Sequence, residues 1–536
     1  MSYFIYEFKR GVIMARSTFS GLNAATSGLF AAQRVLDTIG HNIANQNTPG
    51  YTRQRANQSA ASATSIENGN YLGMGVKMSS ISQIRDELLD IKYRNENTKK
   101  GYWSQSNVSF AQIENIFGEP KGNGITKALN EFFTSIDSVL KNPDDPTAKQ
   151  TFIETGLTFT RFVNNVIGKF ETLISDADHD VNSLVTDINS KTKQIAELNK
   201  SILEAETQGG SANDLRDKRN MLIDELSEMA DIRVNKSITT NNSGQKIEKY
   251  QIEIGDHVVV DHDKSVEIKR VERQDHPLYA ASQKYNNPAS DDLKNVKVTN
   301  LYFADGQQLN MNKIGGKLGA TLQQRDSYGD PAMGNDVRGI PYYVRAVNEF
   351  VKSFAAKAND IHQKGTDKNG DKGLPLFTIS GNSRQIDARN VTINPDIVNS
   401  VSKLAIGISG NQSDNKNFQE LYSMRNKELR LEINQNVQGQ FKTLDLGKGN
   451  PEDVIKSLIT SVLGVDAKEA KDNYKNQVTL SLEADMSRME VSSVSENEEL
   501  TNMVKFQHAY NASARMITTV DEMIDVLINR MGRVGL

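Results

Sequence analysis

The stretch that decides the fold lies at the C-terminal end, where residues 503–531 read MVKFQHAYNASARMITTVDEMIDVLINRM. Within this stretch a set of positions recurs in alternating steps of three and four residues, and only Ser513 among them is not apolar. They are Met503, Phe506, Tyr510, Ser513, Ile517, Val520, Ile524, Leu527 and Met531. This spacing is that of an a/d heptad seam, so it predicts a helix that packs along another helix.

The N-terminal region carries a matching apolar stripe in the same alternating steps. Its members are Leu22, Ala25, Leu29, Ala32, Leu36, Ile39 and Ile43. Each stripe needs a partner, and the simplest partner is the other end of the same chain. Short heptads also occur in ordinary globular proteins, so two amphipathic helices docked separately on a core are an equally consistent interpretation.

Composition excludes several classes of function. The chain has 536 residues, a net charge of −4 and a pI near 6.1, and it contains no basic tract, which argues against nucleic acid as a partner. It has no cysteine, which excludes thiol catalysis, disulfides and thiolate metal sites. No stretch approaches the ~20 apolar residues of a membrane span. The charged opening MSYFIYEFKRGVIM is no signal-peptide core, so any export of the chain would use a route that reads no cleavable signal.

The pattern along the chain predicts a mainly α protein with an inserted β-rich domain, that is, an elongated, multidomain α+β molecule. Turn signals and apolar periodicity predict helices at 19–46, 84–117, 125–141, 147–176, 178–207, 212–230, 341–363, 416–434, 451–464 and 466–532, with an interruption near 491–496. Tyr250, Ile252 and Ile254 alternate with polar residues and predict a strand, followed by a turn at Gly255-Asp256 and a return strand at 258–260.

These elements group into five predicted units. The domains are a leader at 1–15, either disordered or preceding a true start at Met14; a terminal helical domain at 16–60 with 495–536; a helical stalk at 61–230 with 341–363 and 414–494; the β-rich insertion at 231–340; and a turn-rich segment with short strands at 364–413.

Two clusters of polar residues are candidate metal sites, and neither satisfies the requirements of one. His257, Asp261, His262 and Asp263 lie on a predicted hairpin, where successive side chains point to opposite faces. The run Asp367–Asp371 resembles the start of an EF-hand loop, but Lys372 and Thr378 stand where that loop needs Gly and Glu. No phosphate-binding loop, nucleophile elbow or zinc signature occurs in the sequence. We therefore predict no catalytic, cofactor-binding or metal-binding residues.

The N-terminal region carries a more specific motif after its helical stripe. The motif comprises Asn42, Ile43, Ala44, Asn45, Asn47, Thr48, Pro49, Gly50 and Tyr51. It resembles the N-terminal signature of the bacterial flagellar rod, hook and hook-associated protein family, and residues 506–515 resemble the matching C-terminal element. Further segments at 101–104 with 112–120, 194–199, 215–232 and 362–370 resemble the hook-associated branch of that family.

The resemblance implies a structural subunit of the junction between the hook and the filament, with the paired terminal helices as its assembly seam. It implies export through the flagellar type III apparatus, and as partners a cytoplasmic export chaperone, further copies in a ring, the hook protein, and the next hook-associated protein or the filament side. Two alternatives stay open at this point. One is a rod or hook subunit, and the other is a flagellar stalk whose inserted domain binds a ligand or acts as an enzyme.

Overall fold

The computed structural model describes residues 2–530, apart from 66–70, 119–123, 241–245, 274, 285–292, 332–334, 382, 384, 410–413 and 438–439. The α-helices of this part are α1 (Ser2–Asn45), α2 (Glu87–Phe117), α3 (Ile125–Lys141), α4 (Pro146–Thr207), α5 (Asn213–Met229), α6 (Pro277–Lys284), α7 (Gly316–Asp326), α8 (Ile340–His362), α9 (Pro395–Asn399), α10 (Lys416–Ser423), α11 (Pro451–Lys456), α12 (Gly464–Ser492) and α13 (Glu496–Asp525).

The strands of the described residues are short and antiparallel. They are β1 (Gln54–Ala60), β2 (Thr64–Ser65), β3 (Tyr71–Leu72), β4 (Val76–Gln83), β5 (Ile232–Thr240), β6 (Lys246–Ile254), β7 (His257–Asp261), β8 (Lys264–Ser265), β9 (Lys269–Arg273), β10 (Val298–Tyr302), β11 (Tyr328–Asp330), β12 (Asn335–Arg338), β13 (Phe377–Ile379), β14 (Val391–Ile393), β15 (Leu429–Val437) and β16 (Gln440–Gly449). This architecture confirms the predicted fold class, mainly α with β-rich insertions.

Local signals set the ends of the long helices. The side chain of Asp86 accepts a hydrogen bond from the backbone N–H of Leu88 at 2.8 Å and so caps the start of α2. Gly118, at φ +69°, ends α2 in the left-handed conformation that glycine adopts without steric cost. Asp145 caps α4 in the same way as Asp86 caps α2, and Pro146 occupies its first turn.

The helix α4 corrects one prediction. The sequence predicts two helices, at 147–176 and 178–207, whereas the structure has one continuous helix over Pro146–Thr207. The polar stretch from Ser175 to Asp180 contains neither Gly nor Pro, so nothing in it stops a helix. The apolar stripe changes there because α4 leaves one hydrophobic core and enters a second.

These two cores organise the middle of the chain. The first core joins the N-terminal half of α4 to the C-terminal part of α2, to α3, α8, α10 and α11, and to the β13–β14 and β15–β16 hairpins. The second core joins the C-terminal half of α4 to α5 and α7 and to the sheet β5-β6-β7-β8. Tyr250, Ile252 and Ile254 are buried in this second core, and the predicted strand, turn and return strand are confirmed.

Two further predictions differ from the structure. Residues 416–434 were expected to be helical, but α10 ends at Ser423 and β15 begins at Leu429. Leu429, Leu431 and Ile433 alternate with polar residues, and this period of two matches a strand paired with β16. The helix expected at 19–46 begins at Ser2, so α1 runs through the predicted leader.

The C-terminal helices follow the expected division. α12 packs along α2, and α13 begins after an interruption at residues 493–495, which confirms the predicted break near 491–496. Gln477 of α12 contacts Glu96 of α2, and Arg488 of α12 contacts Asp90 of α2, so the two helices run antiparallel. This arrangement brings the start of α13 next to the segment that follows α1.

Candidate assembly site

The terminal helices α1 and α13 pack against each other, as the matched stripes predict. On α13 the stripe positions whose side chains are described are all buried or half-buried, as are Glu499, Asn502 and Ala514. These stripe positions are Met503, Phe506, Tyr510, Ser513, Ile517, Val520 and Ile524, and Val520 is the most deeply buried of them at 7% exposure. The flanking side chains of Val504, Met516 and Met523 are each 54% exposed. Leu527 and Met531 lie outside the residues whose side chains the structure describes.

On α1 the most buried residues are only partly the residues of the predicted stripe. The buried residues are Ala31, Ala32, Val35, Thr38, Ile39 and Asn42, whereas Leu22, Ala25, Leu29, Leu36 and Ile43 are half-buried. The reason is that α1 contacts both α13 and the strands β1 and β4, so its most buried residues lie on the face between these two neighbours. Contact of the half-buried residues with another subunit stays a prediction.

Ser513, the polar member of the α13 stripe, lies opposite Gly28 of α1. A Cβ atom placed on Gly28 of α1 would be 3.2 Å from the Ser513 hydroxyl oxygen. A small residue on each helix therefore permits close packing of the pair at this level.

The motif that follows α1 forms a compact turn. The backbone N–H of Thr48 donates to the Asn45 carbonyl at 2.9 Å, and the N–H of Tyr51 donates to the Thr48 carbonyl at 3.1 Å. Gly50 has φ +77°, a left-handed conformation that is strained for other residues. The turn reverses the chain so that β1 returns beside α1.

Asn42 joins the end of α1 to the returning strand. Its amide donates to the Gln54 carbonyl at 2.9 Å, and its side-chain oxygen accepts from the Gln54 N–H at 2.9 Å and from the Tyr51 hydroxyl at 2.8 Å. The side chain is 1% exposed, so each of these hydrogen bonds satisfies a group that water does not reach.

We expect Asn42→Asp to destabilise the junction between α1 and β1 by about 2 kcal/mol, because a carboxylate oxygen would face the Gln54 carbonyl in place of the amide donor. The measurement is denaturant unfolding of the purified chain. Asn23→Asp, at an exposed position of α1, is the matched control and should leave stability unchanged. An Asn42→Asp protein as stable as the wild type would contradict the role of this amide.

The helix α5 anchors the residues that follow the motif. The backbone N–H of Thr52 donates to the Asp217 carboxylate at 3.1 Å, and the Gln83 amide of β4 donates to its other oxygen at 2.7 Å. Gln54 reaches Asp214 at 2.9 Å. The sequence predicts a helix at 212–230 and a family resemblance at 215–232, but neither pattern indicates this contact of Asp217. The structure shows that this segment holds the hairpin after α1.

Arg53 joins the motif to the C-terminal helices. Its backbone N–H donates to the Ser492 carbonyl at 2.9 Å, at the end of α12. Its guanidinium donates to Glu499 at 2.7 Å and to Glu498 at 2.6 Å, in the first turn of α13. The Glu499 side chain is 3% exposed, so its pairing with Arg53 is shielded from solvent. Sequence reasoning missed this contact, and the position of Arg53 directly after the motif was the available signal.

The carboxylates around the motif alter the ionisation of their neighbours. Burial, followed by the negative charges of Asp214, Asp217 and Glu499, raises the pKa of the Tyr51 phenol well above its ordinary value. Tyr51 therefore stays a neutral donor to Asn42. Burial also raises the pKa of the Asp217 carboxyl to about 6, against the lowering effect of the hydrogen bonds from Thr52.

The raised pKa of Asp217 predicts a pH dependence of stability. Between pH 4 and pH 6 the folded chain retains a proton on Asp217 that the unfolded chain releases, so the stability contributed by this group falls as pH rises through that interval. The expected change is up to about 3 kcal/mol. Unfolding titrations at several pH values should show this decline reduced in Asp217→Asn and retained in Asp144→Asn, at an exposed position. Equal declines in both variants would contradict the assignment.

The polar clusters considered as metal sites serve the fold. The Asp367 carboxylate accepts hydrogen bonds from the backbone N–H groups of Asn369 and Asp371 at 2.8 and 2.9 Å, which closes a polar turn. The ring of His257 stacks on Phe303 with centroids 4.0 Å apart. Among the residues that the structure describes, no group of three or more His, Asp or Glu side chains is arranged to hold a metal ion.

Comparison with known proteins agrees with this arrangement of helices and motifs. The family model described as "Flagellar hook-associated protein FlgK helical domain" matches residues 110–377. "Flagella basal body rod protein" matches 22–52, and "Flagellar basal body rod FlgEFG protein C-terminal" matches 487–531. The last two matches cover the motif region and the α13 seam.

Relatives extend the similarity over nearly the whole chain. Flagellar hook-associated protein 1 of Bacillus subtilis is 29% identical over 96% of this chain and 99% of its own length. The proteins of the same name from Salmonella typhimurium and Escherichia coli are each 25% identical over 95% of this chain and 99% of their own length. A solved structure of the flagellar hook junction protein FlgK from Burkholderia pseudomallei, 20% identical, aligns with 67% of this chain and 56% of that chain at a TM-score of 0.42. Since the helical-domain model alone matches half of the chain, this protein belongs to the flagellar hook-associated protein 1 (FlgK) family.

Proposed function

We propose that this chain is a structural subunit of the bacterial flagellum that forms the junction between the hook and the filament. Family membership supports this role, because the relatives that match it end to end carry the name flagellar hook-associated protein 1. The observation that carries the proposal is the pairing of α1 with α13. Thr52 and Arg53, which follow the motif, support it because they bond to Asp217 of α5 and Glu499 of α13. A subunit that joins two polymers needs both chain ends held in one defined orientation.

The assembly surface in this proposal is the terminal helix pair. Its seam residues are mostly half-buried within the single chain, and apolar side chains on the other side of α13 are exposed. Neighbouring subunits would complete their burial, and the area removed from water would favour assembly. Subunits of a ring or helical lattice bind through two different surfaces, so the partners are further copies of this chain, the hook protein below, and the next hook-associated protein or the filament above.

We further propose that the protein reaches its site through the flagellar type III export apparatus without cleavage, and that a cytoplasmic chaperone holds it before export. Both proposals rest on the family. No described helix is long and apolar enough to cross a membrane. The terminal domain in this proposal comprises 16–60 with 495–536, the stalk comprises 61–230 with 341–363 and 414–494, and the segments 231–340 and 364–413 project from the stalk.

Deleting the gene tests the proposed position of the protein. We expect mutant cells to build complete hooks and to release filament protein into the medium, because no junction retains it. Electron microscopy of the cells and immunoblots of the medium measure both effects, and expression of the gene in trans should restore filaments. Cells that lack hooks would point instead to a rod or hook subunit, and cells with normal filaments would contradict the proposal.

A further inference from the structure

A cleft of about 970 Å³ lies between the β1–β4 hairpin, the N-terminal turns of α2, the start of α5, and the β5–β6 strands. Its lining is rich in cationic side chains. They are Arg34, Arg85, Arg94, Arg216, Arg219 and Lys236. Glu87, Asp90, Glu206 and Glu248 are the carboxylates of the lining, so the positive charges outnumber the negative ones.

Most of these cations have a carboxylate partner within the chain. Arg85 pairs with Asp90 at 2.5 Å. Arg216 pairs with Glu206 at 2.7 Å and with Glu248 at 2.6 Å. Lys236 pairs with Glu87, and Arg94 with Asp224 at 2.7 Å. These ion pairs account for the carboxylates in and beside the cleft.

Two cations of the lining make no ion pair with a described carboxylate, namely Arg34, which is exposed, and Arg219, which is buried. Arg219 is 3% exposed, donates to the Asn199 side-chain oxygen at 3.0 Å, and lies 3.6 Å above the centre of the Tyr250 ring. Its Nε atom has no hydrogen-bond partner in the described structure, and neither does Nη2 of Arg94. Burial lowers the pKa of the Arg219 guanidinium; Tyr250 and the Glu248 carboxylate oppose this effect, and the positive charges of Arg216 and Arg94 add to it.

A buried cation without a counter-ion is costly, and its cost falls when an anion enters. Guanidinium groups bind tetrahedral oxyanions well, because their planar N–H donors match two oxygens at once. We propose that this cleft binds a small oxyanion of the phosphate or sulfate class beside Arg219, with Arg94 and Arg216 as the flanking cations. The bound ion would join α2, α5 and the β5–β6 strands at the base of the inserted sheet.

Calorimetric titration of the full-length protein with phosphate, and separately with sulfate, tests the proposal against chloride at matched ionic strength. We expect a saturable heat for the oxyanions and none for chloride. Arg219→Met keeps the side-chain length and removes the charge, and it should weaken binding about tenfold or more, as expected for loss of a charged hydrogen bond. Arg430→Met, on β15, which packs in the first core and does not line the cleft, is the matched control and should bind as the wild type does.

A second variant keeps the test decisive if Arg219→Met does not fold. Asn199→Asp places a carboxylate beside Nη1 of Arg219 and supplies the missing counter-ion from within the chain. Oxyanion binding should then weaken even though the arginine remains. The proposal is overturned if the wild type shows no saturable oxyanion heat, or if a folded Arg219→Met or Asn199→Asp protein binds as the wild type does. Absence of oxyanion heat would mean that Tyr250 and Asn199 alone stabilise the charge of Arg219. Unchanged binding by a folded variant would mean that the ion binds elsewhere.

Discussion

Val520→Asp should separate the terminal helices and leave cells with hooks but without filaments. Val520 belongs to the α13 stripe that packs against α1, and it is 7% exposed. The new carboxylate would therefore have little access to water. An unpaired charge at such a position costs on the order of several kcal/mol unless it is protonated. α13 packs mainly on α1, so apart from the Arg53 ion pairs at its first turn little else holds it in place once this packing is lost. Ile517→Asp, at a half-buried position of the same stripe, should act similarly with a smaller effect.

Two measurements separate pairing within the chain from assembly between chains. Limited proteolysis of the purified protein reports whether α1 and α13 stay paired, and electron microscopy of cells reports whether filaments form. The matched control is Met516→Asp, whose side chain is 54% exposed on the same helix. It should leave the pair intact. Loss of filaments in Met516→Asp without any change in proteolysis would assign subunit contact to the outer side of α13. Normal filaments in Val520→Asp cells at wild-type protein levels would show that the seam is not needed.

Gly101→Ala should destabilise the chain by about 3 kcal/mol or more, because overpacking that meets backbone atoms cannot be relieved by a rotamer change. A Cβ atom on Gly101 of α2 would lie 2.1 Å from the carbonyl oxygen of Glu228 and 3.0 Å from its carbonyl carbon in α5. Moving the helices apart would also lengthen the bond from the Thr98 hydroxyl to the Ser227 carbonyl, now 2.7 Å. Chemical denaturation followed by circular dichroism measures the loss.

Gly168→Ala in α4 is the matched control for this substitution. No atom lies within 4 Å of the Cβ position there, and the residue is exposed in the middle of a helix. Alanine should therefore stabilise the chain by up to about 1 kcal/mol through its higher helix propensity. If both alanine variants were equally stable, α2 and α5 could not contact each other at Gly101.

Elements with strong local signals agree closely between sequence and structure. The ends of α3 at 125 and 141 match the prediction, and the Gly255-Asp256 turn lies between β6 and β7 as expected. Where the local pattern was ambiguous the prediction failed. The polar stretch at 175–180 suggested a break in α4, which is continuous. The apolar residues of β15 were predicted to be helical, although they recur at every second residue as in a strand.

The contacts that hold the candidate assembly site could not be read from the sequence. Arg53 and Glu499 are 446 positions apart, and Thr52 and Asp217 are 165 apart. Periodicity reports only which side of one element is apolar, and it contains no information about which distant polar group will meet it. The same limit applies to Arg219, whose lack of an ion-pair partner becomes visible only when α4, α5 and β6 are in place.

The sequence by itself therefore determined the helical class, the stripe on α13 and the motif that identifies the family, because each depends on residues that are near one another in the chain. The tertiary structure decided which residues of α1 are buried, because α13 and the β1–β4 strands both pack against that helix. It also decided that Asn42 and Asp217 hold the segment after α1 and that Arg53 joins this segment to α13. A hydrogen bond depends on where folding places its donor and acceptor rather than on their order in the chain.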